Sequence, residues 1–81
     1  ASCQLEYQEF VAKFRAILKT LPETQQKVIT LSKIEQFSNK EIADKLSLSE
    51  QTVKNQLSLG LKTLKEKLGS LGIYLMLLFI N

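Results

Sequence analysis

Apolar residues recur along this chain at intervals of three and four, the spacing of one helix face, and nowhere settle into the two-residue alternation of a strand. Tyr7, Phe10, Val11, Phe14, Ile17, Leu18 and Leu21 form a first stripe, with Glu6 and Glu9 early and Lys19 late, an order that suits the helix dipole. The Leu21-Pro22 step ends this helix, because the residue before a proline is pushed out of the helical region. Pro22 then suits the first position of a second helix, with Val28, Ile29 and Leu31 inward and an end near Ile34.

After a short turn at Gln36-Phe37, Ser38-Asn39-Lys40-Glu41 has the spacing of a capping box and opens a third helix whose inner face is Ile42, Ala43 and Leu46. Ser47-Leu48-Ser49 reads as a three-residue turn, and Ser49 as the N-cap of a fourth helix from Glu50 to about Leu68, with Gly69 as its C-cap. Val53, Leu57, Leu61, Leu64 and Leu68 are its inward stripe. The fold class expected is therefore all-α, a small four-helix domain. A short capped helix, a turn plugged by Leu48 and a second amphipathic helix, with small Ala43 at the crossing, is the pattern of a helix-turn-helix.

The outward face of the fourth helix carries Glu50, Gln51, Lys54, Asn55 and Ser58. Amides pair bidentately with adenine and lysine with guanine, so Gln51, Lys54, Asn55 and Ser58 are the candidate base contacts in a major groove. Lys40, Thr52 and Lys62 are the candidate phosphate contacts, which add affinity without sequence information. Periodicity alone leaves open an ordinary helical hairpin with a solvated polar face, and the alternative function is a helical interaction module that docks on a protein partner through its C-terminal tail.

No charge follows Lys67, and the octet 73–80 is wholly apolar. The chain thus divides into a domain over 1–68 and a hydrophobic C-terminal tail over 69–81. Eight residues fall far short of the roughly 20 that span a bilayer, so no membrane span is expected. Each large side chain there gains about 1.5–3 kcal/mol on burial, and the tail is expected to fold back between the first two helices or to pair with a second copy as a homodimer.

Composition narrows the chemistry. Histidine is absent and Cys3 is the single cysteine, which excludes a disulfide framework, Cys/His zinc modules and imidazole-based triads. No glycine-rich phosphate loop is present, so neither enzyme activity nor a cofactor is expected. One free thiol and no signal peptide read as cytoplasmic. A net charge of +3 suits a nucleic-acid partner.

Leu21-Pro22, then Ser38-Asn39-Lys40-Glu41-Ile42-Ala43, Ser49, Thr52-Val53-Lys54 and Leu61-Lys62-Thr63-Leu64 resemble region 4 of the extracytoplasmic-function sigma factors, over about residues 5–68. That resemblance implies binding of double-stranded promoter DNA at the −35 element, docking on the β-subunit flap of RNA polymerase, and coverage by an anti-sigma factor. The region that melts the −10 element has no counterpart in these residues. LuxR-type response-regulator domains share the string from Ser38 to Lys54 and form the second alternative; Leu21-Pro22, the preceding helix and the long fourth helix favour the sigma resemblance. Two positions depart from the family pattern: Gln36 where glycine is usual, and Gly60 where alanine is usual. The first implies a costly turn and the second about 1 kcal/mol of lost helix propensity.

Overall fold

A computed structural model describes residues 2–75, which form four α-helices: α1 (Ser2–Thr20), α2 (Glu23–Ile29), α3 (Asn39–Leu46) and α4 (Glu50–Leu68). A π turn, Thr30–Ile34, extends α2, and a 3₁₀ turn, Gly69–Gly72, follows α4. No strand occurs among the described residues.

Two details of the helix starts differ from the reading of the sequence: the place of Glu6 and Glu9 in the first helix, and the position of Pro22 at the second. Helix α1 begins at Ser2, so Glu6 and Glu9 lie beyond the first turn, where the dipole's influence has faded. Pro22 stands one position outside α2: its ψ of 147° is extended, and its carbonyl accepts the first helical bond from Gln26 N–H at 3.0 Å. The Gln26 side chain donates to Leu21 O at 2.8 Å and ties the α1–α2 corner.

Val28 and Ile29 are neighbours on α2, and both are fully buried. Successive helical residues point about 100° apart, so the two side chains enter different cores. Ile29 joins Phe10, Phe14, Leu21, Leu64, Leu68 and Leu75. Val28 joins Ile42, Ala43 and Val53, with Phe37 and Leu48 against them. Leu57 of α4 packs on both clusters. Helix α2 therefore fixes the helix-turn-helix to the α1 half of the molecule.

Gly60 is buried on α4 where that helix meets α2. A Cβ there would run into Ile29 Cδ1 and lie 3.3 Å from Ile29 Cγ1. Glycine at 60 thus has a tertiary cause as well as a local cost: α2 and α4 approach closely where a methyl group would collide.

The end of α2 is shaped by the π turn. Glu35 N–H donates to Thr30 O at 3.0 Å, five residues back, and Phe37 N–H donates to Leu31 O at 2.9 Å, six back. This closure is one residue wider than a Schellman motif. Gln36 takes the left-handed conformation, φ 61°, as its position in place of a glycine implies. Phe37 then turns inward against the second cluster, with Lys45 Nζ 4.6 Å from its ring centre.

The first part of the tail folds back, but against α1 and the end of α4 rather than between α1 and α2. Leu75 is buried with Phe10 and Phe14, and the Tyr74 ring sits 5.5 Å from Phe10 and 5.9 Å from Tyr7. Tyr74 OH donates to Glu6 Oε2 at 3.0 Å. The space between α1 and α2 is taken by α4, whose Leu64 is fully buried in the same cluster as Phe14 and Ile29. The remaining tail positions, 76–81, lie outside the described residues. No described helix is long and apolar enough to cross a membrane.

Candidate nucleic-acid interface

Local chemistry sets the two helices of the motif. The Ser38 hydroxyl accepts from Glu41 N–H at 3.2 Å, and Ser38 N–H donates to Glu41 Oε1 at 2.9 Å, completing the capping box. The Ser38 backbone bond and then its side-chain bond hold the Glu41 carboxyl below its ordinary value, against the opposing effect of desolvation and with a lesser contribution from the Lys45 charge. At the other end of α3, Ala43 O accepts from both Ser47 N–H and Leu48 N–H, the latter at 2.9 Å. The Leu48 bond is the six-to-one bond of a Schellman motif and the Ser47 bond the five-to-one bond of an αL cap, with Ser47 left-handed at φ 57° in the place glycine favours. Leu48 follows and packs on Ile42 and Ala43 as the hydrophobic contact of that closure.

Ser49 then caps α4: its hydroxyl accepts from Thr52 N–H at 3.1 Å and donates to Thr52 Oγ1 at 2.9 Å. Val53, Gly60, Leu64 and Leu68 turn into the protein. Gln51, Lys54, Asn55, Ser58 and Lys62 are all exposed. At 100° per residue they fall within an arc of about 100°, along roughly 16 Å of helix. This is one continuous polar stripe of a size that enters a major groove about 12 Å wide.

The candidate base contacts are thus brought together on the outer face of α4. Lys40 lies on the exposed first turn of α3, and Lys62 lies at the C-terminal end of the stripe on α4. Among the described residues Lys40, Lys54 and Lys62 make no ion pair, the bridge at 3.2 Å being Lys27 to Glu23 on α2. Thr52 is half-buried; its oxygen is engaged by Ser49, which leaves its own proton to donate.

Two features of the site were not foreseen from the sequence. Ser47 is left-handed, which its place just past the last apolar residue of α3 would have indicated. Gln51 Nε2 donates to Asn55 Oδ1 at 3.1 Å, a bond whose signal is the four-residue spacing of the two amides.

A family model described as sigma-70, region 4 matches residues 12–64. That span holds the C-terminal half of α1, all of α2 and α3, and α4 through Leu64. No curated protein and no solved structure matches the chain. The matched span is well over half of the 81 residues and contains α3, the turn and the part of α4 that bears the exposed polar stripe, and the chain belongs to the sigma-70 region 4 family.

Proposed function

We propose that this domain binds the promoter −35 element as the C-terminal part of an alternative sigma factor of the extracytoplasmic-function type, directing RNA polymerase to its promoters. The observation that carries the proposal is the exposed stripe Gln51, Lys54, Asn55 and Ser58 on the second helix of a helix-turn-helix, inside the residues that match region 4. Helix α4 enters the major groove with these side chains at the base edges. Lys40, Thr52 and Lys62 hold the flanking phosphates.

A single inserted module covers roughly 600–1,000 Å², so the isolated domain binds weakly. Useful affinity comes from linkage to the −10-binding part of the factor and to the β-subunit flap of polymerase, which raises the effective concentration. An anti-sigma factor covering the domain would control it from the protein side.

Titrating a labelled duplex with the full chain at several salt concentrations tests the proposal. Each phosphate neutralised by lysine contributes about −0.9 to the slope of log affinity against log salt, so replacing Lys40 by alanine makes the slope shallower by about one. Binding that ignores salt, or no duplex binding in low salt, contradicts it.

A further inference from the structure

We propose that Gln51 and Asn55 read neighbouring bases as one coupled unit, in which Asn55 holds the Gln51 amide in the orientation that selects adenine. The proposal rests on α4 being the groove-entering helix, and it goes further by naming a base and the residue that enforces the choice.

The carrying observation is the side-chain bond from Gln51 Nε2 to Asn55 Oδ1 at 3.1 Å between two exposed residues one turn apart. That bond uses one of the two amide protons of Gln51 and one lone pair of the Asn55 oxygen. Gln51 keeps Oε1 as an acceptor beside a second N–H as a donor. This is the complement of adenine, whose N6 donates and N7 accepts in the major groove. An unrestrained glutamine amide can turn over and exchange its oxygen and nitrogen, which loses the match. With Asn55 Oδ1 turned toward Gln51, as in this bond, only the nitrogen end of the Gln51 amide can approach it, and that arrangement sets which end is which. The restraint also lowers the ordering cost of a flexible side chain on binding.

Asn55 presents its own NH₂ group, with two donors, to the adjacent step. Its complement is an acceptor edge such as O6 or N7 of guanine or O4 of thymine. The backbone beneath the pair is held by the Ser49–Thr52 cap, whose two bonds of 2.9 and 3.1 Å lie in the same first turn.

The test measures affinities of the full chain and of Gln51→Ala, Asn55→Ala and Asn55→Asp for a selected duplex and for duplexes changed one base pair at a time. Circular dichroism checks that each variant is folded. The wild type should lose roughly tenfold when the adenine pair is replaced. Asn55→Ala should flatten the preference at that pair as well as at its own step. Asn55→Asp keeps an acceptor for Gln51, so the adenine preference persists while its own step moves toward cytosine, whose N4 donates to a carboxylate. Full adenine preference in Asn55→Ala, or its loss in Asn55→Asp, overturns the coupling. A wild-type chain that distinguishes no base pairs overturns the reading of α4 itself, and the two failures are told apart by the wild-type data alone.

Discussion

Gln36 and Ser47 hold left-handed backbone at φ 61° and 57°, and each closes the helix before it. A side chain there carries a steric cost that glycine escapes, offset in part by the greater freedom of glycine in the unfolded chain. The left-handed region costs an ordinary residue about 1–2 kcal/mol and the freedom of glycine in the unfolded chain takes back about 0.4–1 kcal/mol, so Gln36→Gly and Ser47→Gly should each stabilise the domain by up to about 1 kcal/mol, seen as a rise of a few degrees in Tm. A lower Tm for either variant would mean that its side chain makes a contact worth more than the strain. Glu41 gives a second residue-scale prediction. Its carboxyl is held below the ordinary 4.5 in the folded state, so its contribution is complete above that value and is lost as pH falls through the lowered one. Glu41→Gln keeps an N3 acceptor but cannot take up a proton. The stability advantage of the wild type over this variant should therefore shrink from about pH 6 to about pH 3, followed by urea unfolding. An advantage constant over that range would show that the carboxylate's charge does not support the cap.

At the scale of elements, the contact of α2 with α4 reverses a simple propensity argument. Alanine at 60 would gain about 1 kcal/mol as a helix former. It would also put its methyl group against Cδ1 of Ile29, a fully buried side chain. Overfilling a core costs about 1–3 kcal/mol, so Gly60→Ala should be destabilising on balance. Adding Ile29→Val removes the colliding Cδ1, and the double variant should be more stable than Gly60→Ala alone, measured in a double-mutant cycle. Strict additivity would place the cost elsewhere. Helix α4 carries a separate prediction about binding. Lys54→Ala and Asn55→Ala should relax base preference, each by about 1–3 kcal/mol at one or two positions, while Lys40→Ala weakens all duplexes alike. Equal losses on specific and random duplexes for all three would sink this division of roles.

Across the whole molecule, what could be read from the sequence was whatever local chemistry decides. Ser38 with Glu41, Ser49 and Gly69 mark helix ends within one turn of themselves, and α3 and α4 start where those residues place them. The stripe of Gln51, Lys54, Asn55 and Ser58 was equally visible, because it is the complement of the inward residues Val53, Leu57 and Leu64. Features that depend on distant partners were not. Gly60 makes sense only once Ile29 is against it, and the π turn of Thr30–Ile34 only once Phe37 must reach the second core. Tyr74 meets Glu6 and Phe10 across nearly the full length of the chain, which no periodicity announces. Leu64 and Leu68 of α4 share a core with Phe10, Phe14 and Leu75, so α4 is held from both ends of the described chain.

The central claim is that α4 reads promoter DNA as a single module. Selection of bound duplexes from a random library, in low salt and with the 81-residue chain, tests it most directly. One asymmetric motif of about a half-site is the expected result. Two palindromic half-sites spaced by about one or two helical turns would instead mark a dimeric reader of the LuxR type, and a library no different from its input would contradict DNA reading by α4 altogether.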